Sequence, residues 1–263
     1  MKSITSKDNT DYRLLLRAMA GKRAPGDRAE PPLIAIEGVH LCESWLEHIG
    51  QPEYAFFDGE RQDHPELARL LRSVEPGRAR LCTPALMRAA SDVVHGQGVI
   101  FVGRVPHCIV SDHITANSLW LDRVQDPGNM GTLLRTAAAA GIVDVYASTG
   151  CVSAWAPKVL RSAQGAHFVL AIHEGLDLQV LRERLQIPLI ATALEQAVSL
   201  HETRLPRHAA WIFGNEGRGV APALLASADM RIRIPQSEKV ESLNVAVAAG
   251  VCLFEQRRQH PQA

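Results

Sequence analysis

Hydrophobic and polar positions alternate along this chain in two series. From Leu33 the apolar runs LIAI, YAFFD, ARLCT and GVIFVG read as strands. Between them EGVHLCESWLEHIG, HPELARLLRSV and PALMRAASDVV carry the wider apolar spacing of helices. This first α/β unit ends near Gly103. Val105 to Ala116 holds Pro106 and few regular signals, and reads as a linker. A second series opens at Ser118. SLWLDRV, IVDVYAS, FVLAIHE, PLIATAL, AAWIFG and MRIRIP read as strands. Met130 to Ala140, stopped by Gly141, reads as a helix, as do PKVLRSAQG, LDLQVLRERL and APALLASA. A last helix is expected from about Ser242 to Gln256. Strands alternating with helices predict an α/β fold with a mainly parallel sheet covered on both faces. Ahead of both series lie a polar tail, a helical pattern over Tyr12 to Met19 and the breaker-rich GKRAPGDRAEPP, read as a loop. The expected divisions are 1–30, 31–104, 105–116 and 117–263.

Composition narrows this picture modestly. The 263 residues are 46% hydrophobic and 21% charged, enough for sizeable cores and too apolar for gross disorder. Lys plus Arg and Asp plus Glu each number 28, so no overall basic excess argues for nucleic acid. The first thirty residues lean basic, with Lys2, Lys7, Arg13, Arg17, Lys22, Arg23 and Arg28 against four acids. Five widely spaced cysteines without a CxxC pair argue against a disulfide framework and against zinc. MKSITSKDNTDYR has no apolar core for a signal peptide, and no run of about eighteen apolar residues occurs. A cytoplasmic protein with no membrane span and no metal is expected.

Three segments at strand ends carry candidate chemistry. In LDRVQDPGNMGTLLRTAAAAG a strand runs into Asp126-Pro127-Gly128-Asn129 and a helix bearing Arg135. Helix capping alone accounts for Asp and Asn there. Yet ligands of open α/β sheets bind at the carboxyl ends of strands, which would bring Asn129 and Arg135 to a site. In WIFGNEGRGVAP a strand ends in a glycine-rich turn beside Glu216. Its order fits neither GxGxxG nor GxxxxGK[ST], so a dinucleotide-dependent oxidoreductase is disfavoured. A tight turn and a backbone approaching a ligand both remain open. In IPQSEKVESLNVAVAAGVCLF a polar loop enters a helix crowded with Ala and Gly. Ser242 or Asn244 could serve as its cap, or both could face a ligand. His167, His173 and His201 share no metal-ligand spacing and read as structural or surface residues.

Taken in order, DPGNMGTLLR, GNEGRG and IPQSEKVESLNVAVA resemble the motifs of the SpoU (TrmH-type) RNA ribose methyltransferases of the SPOUT superfamily. Residues 150–168 are similar to the segment joining the first two motifs in the ribosomal RNA subgroup. IEGVHLCESWL and HGQGVIFVG look like that subgroup's substrate-binding domain of the ribosomal L30e type. The resemblance covers all but the first thirty and last few residues. One departure is Gln236-Ser237, where the family often carries Met-Gly.

The resemblance implies a C-terminal domain with a deep trefoil knot holding S-adenosylmethionine (AdoMet), behind a small L30e-like domain that grips RNA. It implies methyl transfer to a ribose 2′-hydroxyl, with Asn129, Arg135, Glu216, Ser242 and Asn244 as the catalytic candidates. By position Gly214, Ile234 and Leu243 would contact the cofactor, joined by Thr192, Ala193 and Asn244. It also implies a homodimer, with Arg135 supplied near the partner's cofactor. Ribosomal RNA is the expected substrate. A tRNA enzyme and a catalytically silent RNA-binding protein are the alternatives.

Overall fold

The computed structural model describes residues 1–21, 31–91, 93–237, 239 and 242–261. Most of the expected loop at Gly21 to Pro32, and Glu238, Val240 and Glu241 of the third motif, therefore fall outside the described residues. The chain divides into two compact units. One comprises residues 1–107 with 155–168, the other residues 108–154 with 169–263.

In the first unit the elements are β1 (Lys2–Ile4), α1 (Thr10–Met19), β2 (Leu33–Glu37), α2 (Val39–His48), β3 (Tyr54–Asp58), α3 (Pro65–Ser73), β4 (Ala79–Cys82), α4 (Pro84–Ala90) and β5 (Val99–Arg104). The sheet order is β1-β4-β3-β5-β2. β1, β4 and β3 run parallel, while β5 is antiparallel to both β3 and β2. The expected polar tail is thus an edge strand. Only Ile4 of β1 is buried, and the strand is held through its backbone against Arg80–Cys82. Asp11 on α1 pairs with Arg80 at 2.7 Å and Lys2 at 3.2 Å, which ties the N-terminus to β4.

Residues 155–168 leave the second series and join this unit. They form α6 (Pro157–Ala163) and a short 3-10 turn at Ala166–Val169, whose last residue lies in the other unit. α6 packs against β2. Phe168 meets the Trp45 ring edge-on, with centroids 5.5 Å apart. Trp45 lies so close over β5 that a Cβ on Gly103 would stand 2.4 Å from its ring. Aromatic burial of this kind contributes roughly 0.5–1.5 kcal/mol beyond its area.

The second unit holds β6 (Ser118–Leu121), α5 (Pro127–Ala140), β7 (Asp144–Ser148), β8 (Ala171–Leu176), α7 (Leu178–Arg182), β9 (Leu189–Thr192), β10 (Val198–Ser199), β11 (Ala210–Phe213), α8 (Pro222–Ala226), β12 (Met230–Arg233) and α9 (Val245–Gln259). Its sheet order is β10-β12-β9-β11-β6-β7-β8, every pair parallel. SLWL and AWIF are buried at every position, as strands sandwiched on both faces must be. The expected strand FVLAIHE starts later, at Ala171, because its first residues complete the 3-10 turn.

Helix starts follow capping chemistry. α5 begins at Pro127, not Met130, with Asp126 accepting from the Asn129 N–H at 2.8 Å. Gly141 closes it at φ 82°. α9 begins at Val245, three residues after the expected start, with Asn244 as its cap. α9 packs along α5, with Ala246 and Ala249 buried. Buried Gln256 fixes the helix to the sheet, accepting from the Trp211 indole at 2.7 Å and donating to the Pro206 carbonyl at 3.0 Å. A Cβ on Gly250 would meet the Thr136 methyl at 3.8 Å, an ordinary contact. Small residues line this helix contact without each being forced to be small.

Candidate active site

At the carboxyl ends of β9, β11 and β12 the second unit opens a cavity of about 790 Å³. Its wall comes from the end of β9 and the residues after it (Thr192–Gln196), the end of β11 and its following turn (Phe213–Val220), the exit of β12 (Ile232, Ile234, Gln236) and the entry to α9 (Ser242–Val245). Asn129 at the start of α5 reaches the same wall. Nine of the ten candidate residues therefore line one concavity: Asn129, Thr192, Ala193, Gly214, Glu216, Ile234, Ser242, Leu243 and Asn244. Arg135 does not. It sits two turns into α5, exposed, with no hydrogen bond or ion pair among the described residues.

Gly214 owes its identity to the backbone beside it. A Cβ there would lie 2.1 Å from the Gly219 carbonyl carbon and the Val220 nitrogen. Asn215 and Gly219 exchange backbone hydrogen bonds at 3.0 and 2.8 Å, so the turn folds back onto its own start. The Asn215 side chain accepts from the Gly217 and Arg218 N–H groups at 3.1 Å. It also donates to the Arg123 carbonyl at 2.9 Å. Asp122, buried at the end of β6, accepts from the Ala221 N–H at 2.8 Å and from the Arg123 guanidinium. Two loops are thereby fixed from below.

Glu216 projects from this turn to the start of α5. Its carboxylate accepts from the Gln125 and Asp126 N–H groups at 3.3 and 3.1 Å and from the Asn129 side-chain amide at 3.1 Å. Partial burial alone would raise its pKa. The bonds from Asn129 and from backbone N–H groups outweigh that, and the group titrates below its ordinary value of 4.5. A carboxylate so committed is poorly placed to take a proton near neutral pH. Its geometry suits holding Asn129.

Donor and acceptor logic then fixes both amides. Asn244 must turn its oxygen to the α9 start, where it accepts from the Ala246 and Val247 N–H groups at 2.9 and 3.3 Å. Its amide nitrogen therefore donates, and the Asn129 oxygen accepts at 2.8 Å. That leaves the Asn129 nitrogen to donate, and Glu216 can only accept. Three elements distant in sequence lock one another through a chain of bonds with a single sense.

Sequence reasoning missed Asp122 and Asn215, although both lay within quoted motifs. A carboxylate ending a buried strand was the signal for the first. An Asn opening a glycine turn was the signal for the second, since Asn caps its own backbone two residues on.

Ser242 is exposed on the wall. Gln236 lines the cavity as well. Apolar Phe213, Val220, Ile232 and Leu243 face it among backbone segments, a lining suited to a flat heterocycle with polar edges. With Gly214 leaving no side chain in the way, the residues present fit an adenosine-bearing cofactor. Among the described residues no group of three or more His, Cys, Asp or Glu could hold a metal ion. Nor is any described helix long and apolar enough to cross a membrane.

Comparison with known proteins shows what the chain is similar to. The chain is 34% identical over 264 residues to an uncharacterised tRNA/rRNA methyltransferase of Synechocystis sp., covering 98% of this chain and 94% of that one. It is 33% identical over 234 residues to a 23S rRNA guanosine 2′-O-methyltransferase of Bacillus subtilis, covering 88% and 91%. The fold matches an AdoMet-bound rRNA methyltransferase of Sinorhizobium meliloti with a TM-score of 0.81, at 22% identity and 99% of each chain. The SpoU rRNA Methylase family pattern matches residues 116–254. More than half of the sequence lies inside that match and one relative aligns over nearly all of it, so the chain belongs to the SpoU rRNA methylase family.

Proposed function

We propose that this protein is an AdoMet-dependent methyltransferase acting on a ribose 2′-hydroxyl of ribosomal RNA. The observation that carries the reading is the Glu216–Asn129–Asn244 chain on the rim of a cavity that fits an adenosine. The name of the B. subtilis protein supports ribosomal RNA.

Bound in the cavity, AdoMet would supply a methyl group already activated by its sulfonium. Gly214, Ile234 and Leu243, with Thr192, Ala193 and Asn244, would hold it. Asn129, Ser242 and Asn244 would orient the ribose, while Glu216 acts through Asn129. Alignment of the hydroxyl oxygen contributes roughly 7–11 kcal/mol when geometry is near attack. Arg135 would stay cationic, since a guanidinium does not give up its proton near neutral pH. In that state it would grip phosphate and stabilise the charge that grows as the hydroxyl proton passes to solvent water.

The proposal includes a homodimer. Arg135 stands outside its own chain's cavity wall, which is the arrangement expected if it serves a partner's site. Val247 and Phe254, seven residues apart on α9, are exposed at 53% and 47%, an apolar stripe that a second copy would cover. It also includes the family's trefoil knot. Supporting it, the stretches just after β12 and just before α9 line the same cavity as the Gly214–Val220 turn, and α9 packs on α5. The first unit would hold RNA, and the protein would work in the cytoplasm.

The test is to map 2′-O-methylation in RNA from cells with and without the gene, then to restore the missing mark with purified protein and AdoMet. A ribosomal site that vanishes and returns is the expected result. Loss of a tRNA mark instead would reassign the substrate. Cofactor binding without transfer to any RNA would mark a silent scaffold.

A further inference from the structure

The second unit has another concavity, at the opposite end of the same strands. It measures about 540 Å³ and is lined by Pro188, Arg204, Leu205, Pro206, Arg207, Asp229, Met230 and His260. Pro188 precedes β9, Arg204 to Arg207 precede β11, and Met230 opens β12. These three strands end in the cofactor cavity, and each is only four residues long. At about 3.3 Å per residue, roughly 13 Å of sheet separates the two openings.

The charge of this depression is one-sided. Arg204 and Arg207 are exposed and have no hydrogen bond or ion pair among the described residues. The one acid in the lining, Asp229, is already engaged. It accepts from the Arg182 guanidinium at 2.9 Å and the Leu189 N–H at 2.7 Å. His260 is held by its Nε2 at 2.8 Å from the Leu205 carbonyl. That contact, with Gln259 bonded to the Leu205 N–H at 2.8 Å, fixes the Arg204–Arg207 loop against the end of α9. Two unengaged guanidiniums on a braced loop, lining a concave surface, suit anionic oxygens better than a neutral ligand.

We propose that this depression is a second RNA contact, in which Arg204 and Arg207 grip backbone phosphates of the substrate while its target ribose lies at the cofactor cavity. The inference rests on the RNA methyltransferase reading and extends it to a face that reading does not use. Such contacts position without reading sequence.

The full-length protein carrying Arg204→Ala and Arg207→Ala together tests this, with unmodified ribosomal RNA as the probe. Filter binding across a salt series should show the log–log slope reduced by roughly 1.4–1.8, two phosphates at about 0.7–0.9 each. KM for RNA should rise, while kcat and AdoMet affinity stay at wild-type values. Lys at both positions should restore most of the slope. An unchanged slope and KM, in a wild-type enzyme that methylates this RNA, would overturn the site and leave the function standing. Failure of the wild type to bind or methylate any RNA would overturn both. Tight binding of inorganic phosphate lost in the double variant, with RNA binding intact, would make this a small-anion site and reject the RNA contact. Unchanged RNA binding with loss of a co-purifying protein would assign the surface to a protein partner, and equally reject it.

Discussion

The cavity rim and the outer face of α5 and α9 are built from the same two helices, yet their polar groups are in opposite condition. On the rim, Asn129 is bonded at both amide atoms and Glu216 collects donors from the loop after β6 and from the first turn of α5. Six residues further along α5, Arg135 is exposed and bonded to nothing among the described residues. On α9 the cap Asn244 is fully engaged, while Val247 and Phe254 face outward. A surface whose donors and acceptors already satisfy one another is preorganised, and catalysis gains most from groups that need not rearrange. A surface with an unpaired cation and exposed apolar side chains finds no such partners among the described residues. The contrast separates polar groups satisfied within one chain from groups left open to solvent.

The largest expected effect breaks the free side. Arg135→Ala should lower methyl transfer roughly 10²–10³-fold, the scale of losing one electrostatic contact to developing charge. AdoMet affinity by calorimetry should hold. Near wild-type single-turnover rates with intact RNA binding would reject a role for this residue. On the locked side, Gly214→Ala forces a Cβ into backbone 2.1 Å away. Thermal unfolding should register a loss of about 1–3 kcal/mol, and AdoMet affinity should fall at least about tenfold.

Combining the two variants sharpens the comparison. Co-expressed Arg135→Ala and Gly214→Ala chains should recover activity that neither has alone, because a mixed dimer contains one intact pairing of cavity and arginine. No recovery would place Arg135 at its own chain's cavity. Phe254→Asp should yield monomers by light scattering and abolish that recovery.

The smallest expected effects concern Glu216. Glu216→Gln replaces an acceptor-only group by an amide that can donate as well, so Asn129 loses its unique orientation. A fall in kcat of about tenfold, one lost hydrogen bond of about 1 kcal/mol or slightly more, is expected with little change in KM. The pKa of Glu216 is depressed in the folded chain, so its contribution to stability is present above pH 4.5 and lost as pH falls below that value. Acid unfolding profiles of the wild type and this variant should diverge above that range and converge below it.

Much of the fold was legible because strands buried on both faces are written as continuous apolar runs. SLWL and AWIF could not be mistaken. β1 escaped because KSI buries one residue and its place is set by backbone pairing with β4. β10, two residues long, escaped for the same reason. The starts of α5 and α9 were misplaced by three residues each: Asp126 caps α5 at Pro127, and Asn244, itself a candidate site residue, caps α9 at Val245. For Asn244 both descriptions apply to one side chain: its oxygen caps, its nitrogen joins the rim. Residue identities at the cavity were legible as motifs. Their bonding was not, because the Glu216 carboxylate finds its donors about ninety residues away, at Gln125 and Asp126.

Residues 155–168 have a consequence for how this protein is made. The first unit is interrupted in sequence, and β2, near residue 35, waits for α6 to cover it. Val159, Leu160 and Ala163 are buried. A nascent chain emerging from the ribosome at about 5–20 residues per second would spend several seconds with the first sheet formed and one side of β2 uncovered. By then β6, α5 and β7 of the second unit have been synthesised too. Neither unit can be cut free at a single linker without stranding α6 on the wrong fragment.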